Sequence, residues 1–150
     1  MKKFMFLAIA LLGMVSCDVI EGGHEGGYIQ DIPLINFDEE AMTVEATGAE
    51  ELIIRVKSTG LDAVTITSGE STFDYWTATS KTNSNAIEGS WIEIVEVIEE
   101  YNNGTRALPS FESAIVVRIA ANETGEERQA TITARSFTKS DVLTITQLAE

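Results

Sequence analysis

Residues that commonly act as nucleophiles, general bases or metal ligands are scarce in this sequence. It contains one histidine, His24, and one cysteine, Cys17. His24 lies in a glycine-rich stretch, and Cys17 directly follows an apolar leader, so both stand outside the segments that resemble strands. Ser-His-Asp, Cys-His and histidine-based metal sites are therefore excluded within the folded part of the chain. We expect neither a metal nor a cofactor.

Carboxylates are the remaining candidates for catalysis. Two acids brought together by folding could hydrolyse a glycosidic bond without leaving a sequence motif, and this alternative stays open. The acids occur largely as doublets at 39–40, 50–51, 99–100 and 126–127. None of them has the D-x-D-x-D-G spacing of a calcium loop, although calcium binding by the doublets also stays open. We interpret the doublets as solvated turns and strand edges, and predict that the protein is not an enzyme.

The formal net charge is −14, and loss of a leader containing Lys2 and Lys3 would lower it to −16. Nucleic-acid binding requires clustered Lys and Arg, whereas the basic residues here are scattered among acids. The charge therefore excludes a nucleic-acid partner and favours solubility.

The only cysteine lies in a position typical of lipid attachment. Lys2 and Lys3 precede an apolar run that is too short to span a bilayer, a pattern typical of a signal peptide. The run ends in Met14-Val15-Ser16-Cys17, which resembles the lipobox of bacterial lipoproteins, although Leu is commoner than Met at its first position. We expect a diacylated Cys17, with ordinary secretory cleavage and a free thiol as the alternative. The lipid would anchor the protein in the cell envelope, in the outer membrane, facing the periplasm or the cell surface.

This interpretation divides the chain into three parts. Residues 1–16 form the signal peptide. Residues 17–30 form a flexible tether, because they contain two pairs of glycines and little apolar material. Residues 31–150 form one domain, which has no disulfide and must be stabilised by its core.

The domain is dominated by short β-rich runs separated by turn residues. These runs are 41–46, 51–57, 63–67, 73–79, 90–97, 114–120, 128–136 and 142–147, and residues 32–37 form either a short strand or an extended lead-in. Leu52, Ile54 and Val56 alternate with Ile53 and Arg55, as expected of a half-buried strand. Eight such runs predict an all-β protein, an immunoglobulin-like two-sheet β-sandwich.

The last third of the chain carries a family resemblance. A strand is followed by Asn122 in a turn, Arg128 opens the next strand, and the final strand closes on Gln147. Upstream lie Gly48 in a turn between two early strands, then Trp76 and Trp91. Residues 41–149 thus resemble a BACON domain, a Bacteroidetes-associated module often found at the N-terminus of carbohydrate-active proteins.

This resemblance implies an immunoglobulin-like sandwich, a non-catalytic role and a link to carbohydrate or mucin. It also places both tryptophans in the core. The chain departs from the family by lengthening the stretch from Lys57 to Trp76 and by inserting acidic, loop-like material after Val97. Both departures fall where a binding surface could be remodelled.

We interpret Asn122, Arg128 and Gln147 as determinants of the fold rather than ligand contacts. Asn tolerates turn conformations, Arg128 can pair with a carboxylate such as Glu126, and Gln147 can bond an edge backbone.

Candidate binding residues lie in the longest irregular stretch, residues 99–113, which we expect to project as a loop. Loop aromatics flanked by amides and a guanidinium suit adaptable binding, although a loop folded over its own aromatics is the alternative. The candidates are Tyr101, Asn102, Asn103, Arg106 and Phe111. Tyr75 should point outwards, because its neighbour Trp76 points inwards.

Two functional hypotheses follow. In the first, a cell-envelope lipoprotein binds carbohydrate or mucin glycans. In the second, it docks to an envelope protein without a glycan ligand, through an exposed strand edge.

Overall fold

The computed structural model describes residues 33–84, 86–99 and 111–150, except the side chains of Ser84 and Phe111. These residues form ten β-strands and no helix. The strands are β1 Ile35–Phe37, β2 Ala41–Val44, β3 Ala49–Ser58, β4 Ala63–Ser68, β5 Ser71–Thr77, β6 Thr82–Ser84, β7 Ile92–Ile98, β8 Phe111–Ile119, β9 Arg128–Ser136 and β10 Lys139–Gln147. Among the described residues, no helix is long and apolar enough to cross a membrane.

All eight runs predicted from alternation are strands, which confirms the all-β prediction. Residues 32–37 were predicted to form either a short strand or an extended lead-in, and the structure has the short strand β1 there. The sequence did not predict β6, because Thr82-Asn83-Ser84 is polar throughout and has no apolar alternation.

The strands form two packed sheets, as the sandwich prediction requires. One sheet has the order β1-β3-β8-β7, and the other has the order β2-β10-β9-β4-β5-β6. The first strand of an immunoglobulin-like sandwich is here divided between the sheets: β1 is antiparallel to β3, and β2 is parallel to β10. The two additional strands β5 and β6 extend the second sheet beyond β4, as in variable-type immunoglobulin domains.

The core lies between the sheets and consists of alternate residues from their inner faces. In β3, Ile54 and Val56 are buried, whereas Ile53 on the opposite face is 48% exposed. In β10, Leu143, Ile145 and Gln147 are the buried residues. A one-residue change in register would expose these faces to water, so the alternation also determines the register.

Gly48 closes the turn between β2 and β3. Its φ is +77°, and a Cβ at this position would lie 2.2 Å from the carbonyl oxygen of Ile119. Only glycine fits here, because any side chain would collide with the backbone of Ile119 and Ala120.

Candidate functional site

Several connections meet at one end of the sandwich, which we call the loop end. Residues 59–62 join β3 to β4 there, residues 78–81 join β5 to β6, and residues 137–138 join β9 to β10. The strand pairs Ala63↔Thr77 and Ala63↔Arg135 place these connections at the same end. Loops grouped at one end of an immunoglobulin-like sandwich are a common place for binding residues.

Asp62 connects three of these loops. Its backbone N–H donates to the carbonyl of Arg135 at 2.8 Å, and its own carbonyl accepts from the N–H of Ala78 at 2.9 Å. Its carboxylate oxygen Oδ2 accepts a hydrogen bond from the backbone N–H of Phe137. Asp62 therefore holds the tip of the β9–β10 hairpin against the neighbouring turns.

Phe137 is the most exposed large apolar side chain at this end. Because Ser136 pairs with Lys139, the hairpin loop contains only Phe137 and Thr138. The φ of Phe137 is +51°, and its side chain is 65% exposed. A left-handed conformation costs a residue other than glycine about 1–2 kcal/mol, and asparagine or glycine would fit better. Strained, exposed residues of this kind cluster at functional sites.

Polar bonds at the loop end hold Glu99 and Ser113 in place. Lys81 Nζ lies 3.0 Å from the carboxylate of Glu99, just before that segment. The hydroxyl of Ser113 donates to the carbonyl of Glu99 at 2.9 Å and lies 3.2 Å from the hydroxyl of Ser58. Glu99 therefore lies at the loop end, next to Ser113.

Four predicted binding residues, Tyr101, Asn102, Asn103 and Arg106, lie outside the described residues. The fifth, Phe111, was assigned to the irregular stretch, and this was wrong because β8 begins at Phe111 and pairs it with Ser58 of β3. The strand extends three residues further than the alternation indicated, since Glu112 and Ser113 are polar but still pair with β3.

The predicted fold determinants lie together at the opposite end of the sandwich. Asn122 is buried, and its side-chain NH₂ donates to the carbonyls of Glu126 at 2.8 Å and Leu148 at 2.9 Å. Its Oδ1 accepts from the hydroxyl of Thr124 at 2.7 Å. Asn122 does not adopt a positive φ, so its role lies in these side-chain bonds rather than in tolerance of a turn conformation.

Gln147 is fully buried in the same region. Its Nε2 donates to the carbonyls of Ala120, Ala46 and Glu45 at 2.9, 3.2 and 3.3 Å. Its strand is not an edge, because β10 lies between β2 and β9. Gln147 instead connects three chain segments that leave the ends of β2, β8 and β10.

The expected pairing of Arg128 with Glu126 was wrong. Arg128 Nε donates to Oε1 of Gln147 at 2.9 Å, and NH2 donates to the carbonyls of Ala120 and Ala121, each at 3.1 Å. The guanidinium also covers the ring of Trp91. Burial lowers the pKa of Arg128 below its ordinary value, yet an arginine remains charged in proteins.

The two tryptophans differ in burial. Trp76 is 4% exposed and belongs to the core, whereas Tyr75 points to the other face, as predicted. Trp91 precedes β7 and is only half-buried, packed against the edge of the core. The expectation that Trp91 is a buried strand residue was therefore wrong in part, because its outer face is covered by Arg128 rather than by the other sheet.

Among the described residues, Asp74 is the acidic residue that is buried. A β-bulge at Phe73 places both Phe73 and Asp74 inside. The carboxylate of Asp74 accepts from the N–H of Ile94 in the other sheet and from the N–H of Tyr75 at 2.8 Å. Burial raises the pKa of Asp74, the two backbone hydrogen bonds lower it, and the negative charge of Glu93 raises it further. Both oxygens are thus occupied, and the carboxylate links the sheets.

The sequence did not identify Phe137 as a functional residue. The available signal was an aromatic residue between the predicted strands 128–136 and 142–147, where a turn would favour Asn or Gly. Its conformation and exposure depend on the two-residue loop between β9 and β10. The pairing of Ser136 with Lys139 sets the length of that loop.

No protein-family model matches the chain, and no curated protein matches it. Among solved structures, a Bacteroides ovatus GH5 xyloglucanase in complex with a XXXG heptasaccharide is similar, with 14% identity and a TM-score of 0.44 over 78% of this chain. The match covers 19% of the xyloglucanase chain. A protein from Bacteroides thetaiotaomicron, solved by NMR, is similar with 13% identity and a TM-score of 0.43, covering 77% of this chain and 87% of the other.

A structure concerning the bacterial superantigen toxic shock syndrome toxin-1 has 12% identity and a TM-score of 0.36, with 78% of this chain and 100% of the other covered. Similarities this low support no conclusion about function.

Proposed function

We propose that this protein is a non-catalytic lipoprotein of the bacterial cell envelope, anchored through Cys17, whose β-sandwich binds carbohydrate at the loop end. The observation that carries the proposal is Phe137, which is exposed although it sits at a strained φ of +51°. An aromatic face presented to solvent provides the apolar contact that sugar rings use, and neighbouring turns supply polar partners.

The non-catalytic part of the proposal is supported by the bonding of Asp74. A general acid must be free to donate its proton to a substrate, whereas both oxygens of Asp74 accept from backbone N–H groups. The resemblance of residues 41–149 to BACON domains supports the carbohydrate ligand, and the lipobox-like Met14-Val15-Ser16-Cys17 supports the envelope location.

The test is affinity electrophoresis of the purified full chain in non-ionic detergent, through gels containing mucin or soluble plant polysaccharides. Phe137→Asn should weaken retention at least tenfold while raising the free energy of unfolding by about 1 kcal/mol, because asparagine tolerates the left-handed conformation. Ile87→Asn is the matched control, since Ile87 is also exposed, at 54%, but lies in the β6–β7 connection. It should leave retention unchanged.

Tyr101→Ala should also weaken retention, with a change in stability within about 0.5 kcal/mol, if residues 99–113 contribute to the same site. Unchanged retention of Phe137→Asn would exclude the loop end as the site. A wild-type protein that no glycan retards, but that captures an envelope protein, would replace the carbohydrate hypothesis with the protein-interaction hypothesis.

A further inference from the structure

The outward face of the six-stranded sheet is lined by threonines. Three neighbouring strands, β10, β9 and β4, each direct two of them outwards, where they alternate with buried core residues. We call these half-buried residues the threonine face: Thr65, Thr67, Thr131, Thr133, Thr144 and Thr146. Thr131 pairs with Thr144 on one side and with Thr67 on the other, so the side chains form rows across the strands, about 4.8 Å apart. Hydroxyls that both donate and accept hydrogen bonds suit the hydroxyls of a saccharide.

Within the described strands, no acidic side chain points outwards on this sheet. Its six strands contain two acids, Asp74 and Asp141. The carboxylate of Asp74 accepts from the N–H of Ile94, and Oδ2 of Asp141 accepts from the N–H of Phe37 at 2.8 Å, so each carboxylate bonds the other sheet. The strands of the four-stranded sheet, by contrast, contain five glutamates: Glu50, Glu51, Glu93, Glu96 and Glu112.

Arg135 is a basic residue that points outwards on the acid-free sheet. It is exposed and follows Thr133 by two residues on β9, so both side chains lie on the same face. Its pairing with Ala63 places it at the loop end, two residues before Phe137. Arg135 therefore joins the threonine face to the exposed aromatic ring.

The charge of Arg135 is not neutralised by a neighbour. Among the described residues, no carboxylate forms an ion pair with Arg135, or with Lys139 two residues beyond the hairpin tip. The exposed Arg118 of the other sheet differs, since it pairs with Glu50 at 3.5 Å and also with Glu93. In a chain of net charge −14, an unpaired cation on an acid-free face favours a ligand with a negative group.

One guanidinium provides a site for one negative group. It binds a planar oxyanion through two parallel N–H···O bonds, and this matches a saccharide that carries isolated acid groups on a neutral chain. The glutamates of the four-stranded sheet lie on the opposite side of the sandwich, and charges further apart than about 8 Å are largely screened at physiological salt. At the loop end, the carboxylate of Asp62 is bonded to the N–H of Phe137. The negative net charge therefore does not prevent one anionic group from reaching Arg135.

We propose that the carbohydrate ligand is a saccharide with isolated acid groups, that Arg135 binds its carboxylate or sulfate group, and that its neutral units lie along the threonine face. This inference rests on the carbohydrate function proposed above and adds the class of saccharide.

The test follows binding of the full chain, in non-ionic detergent, to two immobilised materials by biolayer interferometry. One is glucuronoxylan, whose neutral chain carries isolated carboxylates, and the other is mucin. Each is compared with the same material after carboxyl reduction, which removes carboxylates, and after desulfation, which removes sulfates. For at least one material, the native form should bind at least tenfold more tightly than one of its treated forms, and the effective treatment identifies the acid group.

Two arginine variants change the net charge equally and so separate a specific contact from overall charge. Arg135→Gln should bind the native form at least tenfold more weakly than wild type does, and no better than the treated form. Arg118→Gln should bind within about twofold of wild type, because Arg118 is already paired. Thr133→Val, which removes one hydroxyl of the threonine face, should weaken binding of native and treated forms alike. The midpoint of urea unfolding checks that each variant folds.

Three outcomes would count against the inference. Equal binding of native and treated forms, with loss of both in Phe137→Asn, would overturn it and leave the proposed carbohydrate function standing. Equal losses in Arg135→Gln and Arg118→Gln would also overturn it, because the effect would then come from net charge. A chain that binds neither material in any form would overturn the inference and the proposed function together.

Discussion

The guanidinium carbon of Arg128 lies 4.5 Å from the centroid of the Trp91 ring. The same guanidinium bonds Gln147, Ala120 and Ala121, so one side chain covers the edge of the core and connects the ends of three strands. The side chains at this end of the sandwich are engaged in packing and hydrogen bonding, which contrasts with the strained, exposed aromatic at the loop end.

Because Trp91 is only half-buried, replacing it with alanine should lower the free energy of unfolding less than replacing Trp76. Trp91→Ala should lower the free energy of unfolding by about 1–3 kcal/mol, because it removes a partly buried ring and its contact with Arg128. Trp76→Ala, which empties a fully buried site, should cost about 3–5 kcal/mol. Urea unfolding followed by circular dichroism measures both, and an equal or larger loss for Trp91→Ala would contradict this assignment.

Gln147 should contribute far more to stability than an exposed glutamine. Gln147→Leu would remove the three hydrogen bonds that Nε2 donates to backbone carbonyls and the one that Oε1 accepts from Arg128 Nε, at a cost of about 2–4 kcal/mol in unfolding free energy. Gln129→Leu is the matched control on β9, since Gln129 is exposed and its side chain donates one described hydrogen bond, to the hydroxyl of Thr146 at 3.2 Å. It should change stability by less than about 0.5 kcal/mol. Similar losses in the two variants would show that the buried network is not what stabilises this end.

Asp74 should make stability depend on pH. Burial raises its folded-state pKa above the ordinary 3.8, so its stabilising contribution is complete below pH 3.8 and is lost as the pH rises through the folded-state pKa. Asp74→Asn removes this titration, and the unfolding free energy of wild type minus that of the variant should therefore fall as the pH rises from about 3 to 7. The negative charge of Glu93 contributes to the raised pKa of Asp74, so Glu93→Gln in both backgrounds is the control. A difference that is flat or rises with pH would contradict the assignment.

The proposed lipid attachment at Cys17 predicts where the protein is found in the cell. Cys17→Ala should move it from the membrane fraction to a soluble or unprocessed form, because it removes the thiol proposed as the acceptor of the lipid. Ser16→Ala, which keeps a small residue beside the cleavage site, should remain with the membrane. Fractionation with immunoblotting and mass spectrometry measures both, and normal cleavage with membrane retention of Cys17→Ala would exclude the lipoprotein interpretation.

The alternation of apolar residues was sufficient to predict most of the fold. Residues 52, 54 and 56 share a face because successive side chains of a strand point in opposite directions, and this period of two can be read within a few residues. The outward Tyr75 followed the same rule. Strand β6 escaped prediction because its three polar residues pair with β5 without any apolar face.

The sequence by itself therefore determined the all-β class, the strand segments and their buried faces, since these depend on local patterns. Only the tertiary structure decided which strand ends meet, because pairing joins residues far apart in the chain, such as Asp62 and Phe137. It also replaced the expected Glu126 partner of Arg128 with carbonyls from other segments.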